Sequence, residues 1–240
     1  MLWMKNWMET RWRVLSAIGV IVVLSFLFTL PPREGPNPNA SVGPEARLGF
    51  FISGFFFFFV MEAVILASAG IKTQAPFRTN RGLHGSMHFT LSLPVSRMRI
   101  MATRITMGIA ELLAFIFIGT VALRLVLIPK FPELHFSLGD FAAYLVTTFA
   151  VVAMCFFLAT LLSTFLDDAW QAWGTLILLG LIRGLSTLIT IPESIDPFRT
   201  VSMGSPLVTH SIPWAVVAVS VAMCGVLLLG SMKLVQNRDY

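Results

Sequence analysis

Charge is scarce in this chain: Asp, Glu, Lys and Arg make up 12% of its 240 residues, whereas a soluble globular domain carries about 25%. Cysteine is scarcer still. Only Cys155 and Cys224 occur, which excludes a disulfide framework and leaves two small apolar thiols to pack inside helices. The phosphate-cradling pattern Gly-x-x-x-x-Gly-Lys-[Ser/Thr] is absent, so nothing here can hold ATP by that mechanism. The long apolar runs contain no Asp, no His-Glu-x-x-His and no Ser-His constellation in register, which argues against an intramembrane enzyme.

What is present is apolar bulk. Hydrophobic residues are 56% of the chain and the mean hydropathy is +0.82, the composition of a polytopic membrane protein. A span needs about 20 apolar residues to cross the roughly 30 Å hydrocarbon core, and the length leaves room for about six. Hydropathy places them at Val14–Leu30, Leu48–Ile71, Met101–Ile128, Phe141–Phe165, Ala169–Ile191 and Pro213–Leu234. The runs are too long for barrel strands, and in lipid each segment must satisfy its own backbone. The expected fold is therefore an all-α membrane bundle, a single six-span domain over 14–240. Ser211 with Pro213 suits the start of the sixth span, and Asp140 and Asp168 suit caps for the fourth and fifth.

Residues 1–13 place Trp3, Met4, Trp7, Met8 and Trp12 on one helical arc and Lys5, Asn6, Glu9, Thr10 and Arg13 on the other. This predicts an uncleaved amphipathic interfacial helix ahead of the first span. With the N-terminus inside, eleven cations fall on inner segments and four (Arg33, Arg47, Lys130, Arg199) on outer ones. Arg124 and Arg183 lie within spans. The positive-inside rule then predicts a cytoplasmic (inner) membrane protein with both termini in the cytoplasm. The net charge of +5 serves that orientation. No nucleic-acid recognition motif accompanies it.

The densest cationic segment, Lys72–Arg104, holds Lys72, Arg78, Arg81, Arg97, Arg99 and Arg104 and no acidic residue. Inside it runs Gly85-Ser86-Met87-His88-Phe89-Thr90-Leu91-Ser92-Leu93-Pro94-Val95-Ser96-Arg97. Its apolar residues alternate as in a strand, yet a lone strand is unstable in water. As a short helix it would stack Met87 with Leu91 and Phe89 with Leu93, with Pro94 ending it and Ser96 capping the next helix.

These residues resemble the permease subunits of type 2 ATP-binding-cassette (ABC) exporters. Gly85-Ser86 stands where that family has a Gly-Thr pair, Leu93-Pro94-Val95-Ser96-Arg97 matches its Leu-Pro-Val-Ser-Arg-like ending, and Arg104 matches the basic residue opening its third span. The resemblance implies an interfacial helix, six spans, short re-entrant helices after the fifth span and a cytoplasmic coupling loop, here 72–100. It implies that Gly85, Ser86, Met87, His88, Phe89, Leu91, Leu93 and Pro94 form or flank a coupling helix docked on a separate ABC ATPase, two copies per transporter. It further implies a second permease subunit, identical or similar. No cofactor belongs to this chain, and ATP and Mg belong to the partner ATPase. His88 departs from the family's usual glutamate, and the acidic residues that usually precede the pair are replaced by Asn80, Arg81 and His84.

Charges inside spans are costly and are functional candidates. Glu62 and Glu111 fall at matching depth on neighbouring antiparallel helices. They either line a translocation path, bind a cation or share a proton, or they pack as neutral structural carboxyls. An ion-coupled carrier using these two carboxyls is the alternative function. Arg183, between Gly180 and Gly184, reads as a snorkelling or ion-paired cation with Glu193 or Asp196, and Gly180-x-x-x-Gly184 permits close helix approach. His84 and His88, separated by Gly85 and lacking a third ligand, read as loop histidines, so no metal site is expected. The run Phe55–Phe59 reads as a lipid- or subunit-facing surface.

Overall fold

The computed structural model describes residues 2–29, 44–67, 72–73, 82–83, 97–166, 168–188, 192, 195–203 and 205–236. Its elements are α1 (Leu2–Thr29), α2 (Pro44–Ala67), β1 (Lys72–Thr73), β2 (Gly82–Leu83), α3 (Arg97–Lys130), α4 (Leu138–Ser163), α5 (Asp168–Leu188), α6 (Pro197–Ser202), α7 (Ser205–Thr209) and α8 (Trp214–Gln236). The strands are a two-residue antiparallel rung, Lys72 opposite Leu83 and Thr73 opposite Gly82. The remaining elements are all helices.

Each long helix coincides with one expected span, because unbroken apolar runs leave the backbone no partner but itself. Three described helices are long and apolar enough to cross a membrane: Met98–Lys130, Leu138–Ser163 and Trp214–Gln236; the apolar part of α2, Phe51–Ala67, is shorter. The expected interfacial segment 1–13 and the first expected span fall on one helix. α1 runs continuously from Leu2 to Thr29, and Thr10 is buried within the bundle.

The axis of the bundle is α4, which touches α2, α3, α5, α6, α7 and α8. Its most apolar stretch is 61% buried, against 17% for that of α8. α1 lies along α3, and α8 runs beside α4. One continuous apolar core joins Ile52, Phe59, Phe115, Leu123, Tyr144, Val152 and Phe156. Its exterior is apolar too: Leu125, Trp214 and Leu229 are each more than two-thirds exposed, a surface suited to lipid and unsuited to water.

The phenylalanine run turns inward, contrary to expectation. Phe55, Phe56 and Phe59 are buried and only Phe57 is exposed. Phe59 packs edge-on against Phe115 with ring centres 5.8 Å apart, Phe56 edge-on against Phe198 at 6.3 Å, and Phe55 lies 5.5 Å from Phe51. Space for these rings comes from small partners. A Cβ on Gly119 would collide with the Phe59 ring, and one on Gly108 would sit 2.7 Å from Cζ of Phe156.

Candidate functional site

The residues Gly85, Ser86, Met87, His88, Phe89, Leu91, Leu93 and Pro94 lie outside the described residues. So do Glu193, His84 and Asp167. What is described is their frame: α2 ends at Ala67, and α3 begins at Arg97. The basic connection therefore joins two helices that pack on each other.

Glu62 on α2 and Glu111 on α3 are both 5% exposed. The Phe59–Phe115 contact fixes their register. Glu62 lies three residues past Phe59 on α2 and Glu111 four before Phe115 on antiparallel α3, so the two carboxyls fall within roughly 2 Å of the same level. Shared depth does not make them a pair. Glu111 Oε1 accepts a hydrogen bond from the Thr10 hydroxyl of α1, while its Oε2 is sealed and has no partner among the described residues. Close by on α2, the Val64 carbonyl accepts from Gln171 Nε2 of α5 at 3.3 Å. The middle of the bundle is thus crossed by polar ties from α1 to α3 and from α5 to α2.

Thr10 and Gln171 were not legible as partners in the sequence. Each lies about a hundred residues from its contact, and neither side chain stands out in an apolar run. The only available signal was that an intramembrane carboxyl needs a donor from some neighbouring helix.

Arg183 Nη1 pairs with Asp196 Oδ2 at 3.2 Å, one of the two acidic partners expected for it. Asp196 also caps α6, since its Oδ1 accepts from the backbone N–H of Phe198 and of Arg199, at 3.0 and 3.1 Å. The ion pair thereby ties α5 to the first of two short helices that precede α8. Among the described residues, nothing lies within 4 Å of where a Cβ on Gly180 or Gly184 would stand, so no described helix approaches them closely. The expected cap at Asp140 is also corrected. Ser137 is the N-cap of α4, and Asp140 is its third helical residue, completing a capping box. Asp140 Oδ2 additionally meets His210 Nδ1 at 3.0 Å, linking the start of α4 to the segment before α8.

Among the described residues no group of three His, Cys, Asp or Glu side chains is placed to hold a metal ion. Cys155 and Cys224 are free thiols. No family model matches the chain, and no curated protein matches it in sequence.

Proposed function

We propose that this chain is the membrane-spanning permease subunit of an ATP-driven ABC exporter. The observation that carries the reading is the string Gly85 to Arg97 within the acid-free segment Lys72–Arg104, whose six cations are shared between the connection of the second and third long helices (Lys72, Arg78, Arg81) and the start of α3 (Arg97, Arg99, Arg104). The helical order supports it: each expected span overlaps a long helix, three of which are long and apolar enough to cross a membrane, and two short helices, α6 and α7, stand between α5 and α8, where the resembling family has its re-entrant segment.

In this reading the chain sits in the inner membrane as six spans with both termini in the cytoplasm. Two permease subunits, identical or similar, pair with two ATPases. Residues 86–93 act as the coupling helix, with Met87, Phe89, Leu91 and Leu93 as its apolar grip. ATP favours the closed ATPase pair through its higher affinity for that state. The closure pushes the coupling helices, and the bundle switches from inward-facing to outward-facing.

The direct test is crosslinking in native membrane vesicles from a photoreactive residue placed at Phe89 or Leu91. Capture of an ATPase subunit is the expected result, with stoichiometric co-purification of that subunit on the tagged full chain. Absence of any ATPase in both measurements overturns the reading.

A second reading has one specific observation behind it. Two carboxyls at one level are buried, and a proton or a cation would satisfy the sealed Oε2 of Glu111. An ion-coupled carrier would use them. It requires that the purified chain alone transport under a proton or sodium gradient and that Glu62→Gln or Glu111→Gln abolish coupling; the exporter reading requires neither.

A further inference from the structure

Among the described residues, four polar side-chain atoms along the seam between α3 and α4 are sealed and lack a hydrogen-bond partner: Oγ1 of Thr120, Nε of Arg124, Oη of Tyr144 and Oγ1 of Thr148. Thr120 and Arg124 stand one turn apart on α3, and Tyr144 and Thr148 one turn apart on α4. The Arg124 guanidinium carbon lies 5.8 Å from the centre of the Phe141 ring, which brings the two stripes together. Because α3 and α4 are joined by the short connection 131–137 and run antiparallel, Thr120 falls level with Tyr144 when Arg124 is level with Phe141. The Tyr144 and Thr148 hydroxyls approach one another without reaching hydrogen-bond geometry. Tyr144 and Thr148 are 0% exposed and Thr120 5%.

Buried polar atoms are nearly always satisfied, so four stranded in one seam call for a missing partner. Its chemistry follows from the donors. A guanidinium only donates, and three hydroxyls each have a proton to give. Among the described residues no carboxylate lies within 4 Å of Arg124 to balance its charge. Asp140 is held by the Ser137 N–H at 2.7 Å and by His210 at 3.0 Å, and Glu111 lies roughly 20 Å away along α3. Arg124 is half-buried with its Nε sealed, and a cation partly withdrawn from water is stabilised by a countercharge. The complement is an acceptor-rich anion.

We propose that the α3–α4 seam binds an oxyanion, the phosphate or carboxylate group of a ligand, with Arg124 supplying the countercharge and Thr120, Tyr144 and Thr148 supplying hydroxyl donors. Guanidinium suits this role because its planar fork matches both oxyanions. Val121 and Leu125, neighbours of Arg124 on α3, are 45% and 70% exposed, so the helix presents an apolar outer face beside Arg124 on which the acyl chain of an amphiphile can lie. The site stands whether or not the chain works with an ATPase.

The test uses the purified full chain in phosphatidylcholine nanodiscs with and without phosphatidylglycerol, and mass spectrometry of the intact protein to count retained lipids. A second arm adds inorganic phosphate in pure phosphatidylcholine and follows Tm. Wild type is expected to retain phosphatidylglycerol over phosphatidylcholine at least tenfold, and Arg124→Gln to bring the two to parity. Tyr144→Phe and Thr148→Val preserve volume, so they decide the matter even if Arg124→Gln misfolds; each is expected to cut the preference severalfold. A Tm rise with phosphate alone, lost in the Tyr144→Phe/Thr148→Val double variant, supports the same site with a free anion as ligand. The proposal fails if the double variant retains anionic lipid and responds to phosphate as wild type does, or if wild type responds to neither probe.

Discussion

Gly119 is glycine because Phe59 occupies the space its side chain would need. Phe59 is 0% exposed and held edge-on by Phe115, so its ring has nowhere to retreat. Gly119→Val is expected to cost about 1–3 kcal/mol through overpacking, read as a fall in the unfolding midpoint in detergent. Adding Phe59→Leu should restore part of that loss, and no recovery would show that the strain lies elsewhere. Thr10 is a second residue whose type is set by one partner. Thr10→Val removes the donor to Glu111 Oε1 and leaves a buried carboxyl without it, at a cost of about 1–3 kcal/mol. The Thr10→Val/Glu111→Leu double variant should be much less destabilised than the sum of its singles. If the two singles simply add, the side chains are not coupled. Glu111 itself was legible as a costly charge in an apolar run. Its partner was not, because depth can be counted along a helix while the neighbour across it is chosen by packing.

Caps decide where the helices of this bundle start and which are tied together. Asp196 accepts two backbone N–H groups with one oxygen and Arg183 with the other. Asp196→Ala removes all three, and the lost cap alone is worth about 1 kcal/mol. Arg183→Gln removes only the pair, whose cation is 37% exposed; screening holds such a contribution below about 1 kcal/mol. Thermal unfolding should therefore rank Asp196→Ala as clearly more harmful than Arg183→Gln, and the reverse order would mean that the ion pair, not the cap, holds α6. At α4 the capping box predicts that Ser137→Ala frees the Asp140 N–H and costs about 1 kcal/mol. An unchanged midpoint would show that Asp140 and His210 suffice. The Pro213 signal placed the start of α8 within one residue, since a proline marks a boundary through its own covalent geometry. The α4 start was misread by three residues. Ser137 and Asp140 both suit a cap by composition, and only the backbone shows which stands outside the helix.

At the scale of the whole molecule, burial is arranged around α4 rather than evenly among the helices. Photoreactive lipid should therefore label residues on α8 such as Val221, Val226 and Leu229, which are exposed, and spare Val151 and Val152 on α4, which are 0% exposed. Equal labelling of the two helices would contradict α4 as the axis. The apolar runs and their helical state were legible in the sequence alone, because in lipid a segment's hydropathy and the demand for internal backbone hydrogen bonds act residue by residue along the chain. Tertiary structure decided what those local rules leave open. Hydropathy assigns Phe55 to Phe59 to an apolar place without saying whether lipid or core provides it; Phe51, Phe198, and Phe115 with Gly119 make it the core for Phe55, Phe56 and Phe59. It likewise decided that α1 gives Thr10 to Glu111, and that Arg124 lies over the Phe141 ring of α4. Such pairings join residues distant in sequence, and they are set by which helix surfaces interlock.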